Sequence, residues 1–414
     1  MQDDPSFRVQ RPKNTYSDFR LHLFTSFLGN LVAPIFSLFL PILAFEIGAT
    51  TFEVGLVGGA ENIVYAFMPF FMGHFTDRGR SRRFFIVSAF AMLAVVSLFY
   101  SIASNPIALI VARLFEGLGW AMLWPAIESS ITIGTFGDSH ALSLFNSSWS
   151  GGAAIGPLAG GFLIAFGSMR FAYVATTIML GIALLVNLIS TIRNREVNGT
   201  NNHKSESYSF VSALKNVFQS QDKKRNFQTR FYVSSLVLAF MTVGVLYTFF
   251  GPYAKTLGMS ILLISAPPFF FGLLRFLIYL VTTHRGFRSR LLDPTRRNRT
   301  VFVALLIACS STLLMLVRDP SGELYFVAFG LFAAGFSVVY FVSQVTMIAE
   351  VEKTQMGTRA GVFESVVGLG SAAGPIIAGA ISSSSLGLAF LVPPAGFVIV
   401  MLLLALDGKR CGVL

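Results

Sequence analysis

Along this chain, apolar stretches of about 20 residues follow one another with short polar breaks between them. A helix of that length crosses a hydrocarbon core about 30 Å thick, and only a helix satisfies its own backbone groups there. Twelve are expected, at about 19–45, 52–75, 84–104, 106–130, 140–166, 170–192, 229–254, 259–282, 300–318, 322–349, 357–383 and 386–406. Pro267 and Pro268 fall in the eighth, which is expected to be broken. The first follows a polar, charged lead and is expected to be retained rather than removed as a signal.

The pattern repeats. Gly152-Ala-Ala-Ile-Gly156-Pro157-Leu-Ala-Gly160-Gly161 returns 218 positions later as Gly370-Ser-Ala-Ala-Gly374-Pro375-Ile-Ile-Ala378-Gly379. The same offset pairs Asn146 with Glu364 and Gly117 with Gly335. A membrane chain that repeats at half its length is built as two similar halves, and binding sites of such proteins lie between the halves. The halves are expected at 1–192 and 229–414, each a six-helix bundle, with a cytoplasmic linker at 193–228. Within that linker Ser209 opens an amphipathic pattern (Phe210, Val211, Leu214, Val217 and Phe218 on one face) that suits a helix lying on an anionic membrane surface.

Composition adds orientation. Charged residues are 12% of the chain, about half the share of a soluble protein. The net charge of +11 invites a nucleic-acid reading, but its distribution excludes one. With the N-terminus inside, 26 of the 31 Lys and Arg fall on the cytoplasmic side, and Arg170, Lys255 and Arg318 outside. That is the positive-inside bias, so a multi-pass protein of the cell membrane with both termini cytoplasmic is expected. Cys309 and Cys411 form no metal-ligand or disulfide pattern. No phosphate-binding Gly-x-x-x-x-Gly-Lys-Ser/Thr run is present, and no nucleophile and base are arranged together, so neither cofactor nor metal nor enzymatic activity is expected.

The loop after the second span reads Gly73-His-Phe-Thr-Asp77-Arg78-Gly79-Arg80-Ser81-Arg82-Arg83. It resembles the signature of the major facilitator superfamily at that position. The resemblance implies a cytoplasmic gate in which Asp77 sits against the N-terminus of helix 11, where a carboxylate is stabilised by roughly 0.3–1 kcal/mol, and Arg82 or Arg83 pairs with Glu128. A weaker copy, Asp293-Pro-Thr-Arg296-Arg297-Asn-Arg299, lies between helices 8 and 9. The helix-4 phrase Arg113-Leu-Phe-Glu116-Gly117 and the helix-5 Gly-Pro phrase resemble motifs of the same superfamily, the latter of its twelve-helix drug:proton antiporters. Gly152, Gly156, Gly160 and Gly161 allow close helix packing, with a bend at Pro157, and Gly370, Gly374 and Pro375 repeat this in helix 11.

Charges inside spans are costly and mark function. Here they are Glu61, Arg113, Glu116, Arg275 and Glu364. Arg113 and Glu116 are one turn apart and can pair. Through the repeat, Glu61 maps near Arg275, and the two are expected to face each other. A proton-coupling site needs a carboxyl group that takes up a proton on one side and releases it on the other, and desolvation favours the protonated form. Glu61 and Glu364 are the leading coupling candidates, Glu116 the third. Arg113, Trp120, Trp124, Asn146 and Arg275 are expected to line the substrate cavity.

The resemblance therefore implies an all-α integral membrane protein, twelve helices in two pseudo-symmetric bundles, working as a monomeric secondary transporter by alternating access. Proton-coupled export of a lipophilic or amphiphilic small molecule is the leading expectation. Uptake or exchange of a polar metabolite (a sugar, organic anion or amino acid) is the alternative, and a non-transporting membrane sensor stands behind both. The partners expected are a small molecule, protons and the bilayer.

Overall fold

The computed structural model describes residues 15–77, 82–134, 139–195, 223–349 and 356–411. Among them are twelve helices of membrane length and no strand. The first six are α1 (Thr15–Glu46), α2 (Thr51–Asp77), α3 (Arg82–Ile102), α4 (Pro106–Gly134), α5 (Ser139–Phe166) and α6 (Met169–Arg195). The second six are α7 (Lys223–Thr256), α8 (Ile261–Thr282), α9 (Arg297–Ser311), α10 (Glu323–Gln344), α11 (Met356–Ile381) and α12 (Val392–Cys411). A short helix, Arg285–Leu291, joins α8 to α9, and a π-helical turn, Val345–Ala349, ends α10.

Two expectations need correction. Pro267 and Pro268 do not break α8, which runs unbroken from Ile261 to Thr282 with both prolines buried. They sit near its start, so the backbone donors they lack would have served only the carbonyls of its first turn. The expected linker is also shorter, because α6 continues to Arg195 and α7 already begins at Lys223. The amphipathic pattern from Ser209 lies outside the described residues.

Burial sorts the helices. On α1, Ile35, Phe36, Leu38, Phe39, Leu40 and Ile42 are fully buried, and α7 is enclosed in the same way at Val245, Leu246, Phe249 and Phe250. By contrast, α6 exposes Ile178, Ile182, Leu185, Ile189 and Ile192, and α12 exposes Val398, Ile399, Leu402, Leu403 and Leu406. Exposed apolar stripes at helical spacing on membrane-length helices are the surface that lipid covers. Hence α1 and α7 are central, and α6 and α12 peripheral.

The repeat is visible as packing. A side chain at Gly152 would meet the Phe27 carbonyl of α1, and one at Gly156 the Leu31 carbonyl. In the second half, Gly370 stands in the same way against Val237 of α7, and Gly374 against Met241. Small residues let these backbones touch. The partners Phe27 and Val237 are 210 apart, as are Leu31 and Met241, and as are Gly48 and Gly258, the left-handed glycines that end α1 and α7. The offset thus grows from 210 to 218 between the first and fifth helix of each half, so these contacts are kept while the lengths between them differ. Gly117 and Gly335 do not share a role, however. Gly117 abuts Glu61 of α2, whereas Gly335 abuts Ala304 of α9.

The halves meet along α2 and α11 and along α5 and α8. Gly55 and Gly379 face each other at one end of the first pair, and Gly361 abuts Pro69 and Phe70 at the other. On the second pair Gly272 abuts Ala154, and Gly161 abuts Ser265. Gly161 therefore serves the contact between halves, while Gly152 and Gly156 serve the first half alone.

Candidate functional site

Between the halves lies a cavity of about 200 Å³. Its charged lining residues are Glu61 from α2, Glu128 from α4, Arg275 from α8 and Glu364 from α11. Its walls are aromatic, with Trp120 and Trp124 from α4, Trp149 from α5 and Tyr340 from α10. The two α4 indoles stack at 6.0 Å.

One wall is built around Arg113. Its Nη1 is ion-paired with Glu61 and with Glu116, the latter at 2.7 Å, and its Nε donates to the Val57 carbonyl at 2.9 Å. Glu116 also accepts from Tyr100 at 2.5 Å and from the Trp120 indole at 2.8 Å. Buried charges need such saturation, because the loss of water is returned only where every donor and acceptor is met. Glu61 is the exposed corner of this cluster and reaches the cavity. Arg113 and Glu116 lie behind it, at 1% and 0% exposure.

The floor is a ring of four side chains, two from each half. Asn146 of α5 donates to Gln344 of α10 at 2.7 Å, and Gln344 donates to Glu128 of α4 at 3.0 Å. Glu128 and Glu364 lie close enough for their charges to act on each other, and Tyr65 of α2 donates to Glu364 at 2.5 Å. Asn146 is the eighth residue of α5 and Glu364 the ninth of α11. At 1.5 Å per residue both lie roughly 12 Å from the helix starts, at the end of the bundle where α1 begins. At the opposite end Lys255 of α7 pairs with Glu46 of α1 at 2.7 Å, again across the halves.

The remaining charge stands apart. Arg275 is 5% exposed, with its guanidinium carbon 4.3 Å from the Trp149 ring and 4.7 Å from that of Phe271. Aromatic faces attract a desolvated cation by about 2 kcal/mol. Among the described residues no carboxylate pairs with it, and its buried Nε has no hydrogen-bond partner.

Of the expected cavity residues, then, Trp120, Trp124 and Arg275 line the cavity, while Arg113 and Asn146 lie behind its surface, held by Glu61, Glu116, Gln344 and Trp149. Glu61 and Arg275 share the cavity without pairing, because Arg113 holds Glu61 within its own half. Of the coupling candidates, Glu61 and Glu364 reach the cavity and Glu116 does not. Of the expected gate, Glu128 lines the cavity and accepts from Gln344. Arg82 and Arg83 begin α3, Gly73 is buried near the end of α2, and Arg78 and the Asp77 side chain lie outside what is described. In the weaker copy, Asp293 accepts from the Thr295 backbone at 2.9 Å, a local turn leading into α9.

Gln344 and Tyr65 were not singled out from sequence. A signal existed for Gln344, which lies 216 residues after Glu128, the same offset that relates Asp77 to Asp293. Asn146 and Glu364 are repeat partners as well. The ring is thus pseudo-symmetric, with acid and amide exchanged between the halves.

Comparison with known proteins agrees with this architecture. The chain is 25% identical over 247 residues to an uncharacterized MFS-type transporter of Methanocaldococcus jannaschii, covering 58% of this chain and 59% of that protein. A second such transporter of that organism matches at 24% over 96 residues, 24% of its length. The chain thus spans less than two thirds of either relative. Among solved structures, the human organic anion transporter MFSD10 superposes with a TM-score of 0.68 at 18% identity, over 93% of this chain and 99% of that one. A bacterial homolog of the human lysosomal transporter Spinster, inward-facing and occupied, gives 0.66 at 16% over 97% of each chain. The E. coli fucose:proton symporter FucP gives 0.62 at 16%, over 95% and 99%. Identities this low speak for the fold alone. The Major Facilitator Superfamily model matches residues 23–292, well over half of the sequence, and the chain belongs to that superfamily.

Proposed function

We propose that this transporter is proton-coupled and moves small molecules with an apolar or aromatic body through the central cavity. The supporting observation is the approach of two carboxyl groups on the cavity floor, Glu128 of the first half and Glu364 of the second. Two neighbouring carboxyl groups attract only while one of them holds a proton, and as two carboxylates they repel. Proton release therefore works against contact between the halves at this end, and proton uptake restores it. That is the coupling alternating access needs. The aromatic walls suit an apolar body. The Lys and Arg bias supports a floor that faces the cytoplasm.

The helix-5 Gly-Pro phrase favoured antiport and export. Gly152 and Gly156 seat α5 on α1, Gly370 and Gly374 seat α11 on α7, and Gly161 and Gly379 pack against the opposite half, so the phrase is accounted for by packing and carries no weight for direction.

The test is gradient-driven flux of aromatic dyes and acids in liposomes holding the purified protein, beside Glu128→Gln and Glu364→Gln. Each variant should lose pH-driven accumulation while keeping exchange without a gradient. Undiminished pH-driven flux in both would overturn the reading.

A further inference from the structure

Three of the four charged side chains lining the cavity are already engaged within the protein. Glu61 is paired with Arg113, Glu128 with Gln344, and Glu364 with Tyr65. Arg275 is the basic one, and it has no acidic partner among the described residues. A guanidinium carries five donors in a planar fork that matches a carboxylate, sulfonate or phosphate edge. Here Trp149 from α5 and Phe271 from its own helix lie beside it, with Phe336 of α10 at 5.8 Å. None of these rings accepts a hydrogen bond of ordinary strength. The polar groups close enough to act on its charge are the hydroxyls of Tyr247 of α7, Tyr279 of α8 and Tyr340 of α10, and Tyr247 and Tyr340 also line the cavity. An isolated buried cation within a membrane span is retained where something binds it.

We propose that Arg275 receives the anionic group of the substrate, so that the transported molecule is an amphiphilic organic anion whose apolar body lies against Trp149, Phe336 and Trp124. The anion accepts from the guanidinium fork, with the Tyr247 or Tyr340 hydroxyl as a further donor. This rests on reading the cavity as the transport site, but not on which residues carry the proton. A lipophilic cation, by contrast, would find Arg275 repelling it, and would find the three cavity carboxyl groups committed elsewhere.

The experiment uses the full chain in nanodiscs and probes that share one ring system: naphthalenesulfonate, naphthoate and naphthyl phosphate as anions, naphthalenemethanol as the neutral form, and naphthylmethylammonium as the cation. Calorimetric titration should show saturable binding of at least one anion, about tenfold or more tighter than the alcohol or the ammonium, as a charge-assisted hydrogen bond predicts. Arg275→Gln should erase that preference while the alcohol still binds. Arg275→Lys should retain part of it, since the charge stays and the fork is lost. Tighter binding of the ammonium, a preference unchanged in Arg275→Gln, or no saturable binding of any anion would each overturn the inference. The wild-type ranking alone decides the matter if the glutamine variant does not fold. Failure here is separable from failure of the coupling. Absent anion preference with pH-driven flux still lost in Glu364→Gln removes only the anion. Anion preference with flux indifferent to the pH gradient removes only the coupling.

Discussion

Asn146 and Gln344 meet across the two halves, the amide of one donating to the amide oxygen of the other at 2.7 Å. Both are fully buried, and each binds onward, Asn146 accepting from the Trp149 indole and Gln344 donating to Glu128. The aromatic wall beneath Arg275 and the carboxyl pair on the floor are therefore joined by one run of hydrogen bonds.

Breaking that link from one side leaves a buried amide unsatisfied. Asn146→Leu and Gln344→Leu should each lower stability by about 1–3 kcal/mol. The double variant should lose less than the sum, because removing both partners leaves no orphan between them. Thermal unfolding of the four proteins in detergent measures this cycle. Strict additivity would mean the two amides do not act on each other.

The glycines of the repeat predict opposite outcomes by position. Gly152→Val and Gly370→Val each push a side chain into the backbone of a neighbouring helix, Phe27 in one half and Val237 in the other. Overpacking of this kind costs about 1–3 kcal/mol or more, and both variants should show reduced yield of folded protein by size-exclusion chromatography. Gly181 of α6 has nothing within 4 Å of an added methyl group. Gly181→Ala should instead leave folding unchanged or stabilise it by about 0.5–1 kcal/mol.

The Lys255–Glu46 pair is 36% and 41% exposed, which limits its worth to roughly 0.2–1 kcal/mol. That is still enough to shift an equilibrium between two states of a transporter by about 1.5–5-fold. Glu46→Lys should increase labelling of cysteines placed in the cavity by a reagent added from the Lys255 end. The exchange Glu46→Lys with Lys255→Glu should return it to the wild-type level.

Acid should loosen one turn outside the membrane. Asp319 accepts from the Ser321 hydroxyl and from the Leu324 backbone at 2.8 Å, where α10 begins. These bonds hold its carboxyl below the ordinary value of 3.8, the Ser321 hydroxyl contributing most. A lowered folded value means that the cap's stabilisation is present above about pH 3.8 and is lost as pH falls through the folded value. Amide exchange at Leu324, corrected for the intrinsic rate, should therefore accelerate only below that point. Asp319→Asn should show no such acid step.

Much of the fold was legible because it is written locally. Apolar stretches of bilayer length predicted all twelve helices, most within a few residues, with ends of α7, α9, α10 and α12 differing by five to seven. The repeat phrase around Gly152 and Gly370 predicted the pseudo-symmetry. Pro267 and Pro268 misled, since they remove only two ladder bonds of α8, and a membrane helix packed against its neighbours tolerates that loss. The site was legible only as an inventory. Glu61, Arg275 and Glu364 stood out because a charge in an apolar run is visible without knowing its neighbours. Glu128 was noticed as a gate residue and not as a cavity residue, and Tyr65 and Gln344 were passed over, since tyrosine and glutamine near a membrane end are ordinary in composition.

By itself, then, the sequence determined the number of spans, their repeat and the family, because length, hydropathy and motif spacing are properties of neighbours along the chain. Only the tertiary structure decided which charges meet. It set Arg113 between Glu61 and Glu116, brought Glu128 and Glu364 to one cavity, and left Arg275 among aromatic rings. A hydrogen bond acts over about 3 Å, and whether two side chains from helices hundreds of residues apart come that close depends on how those helices pack.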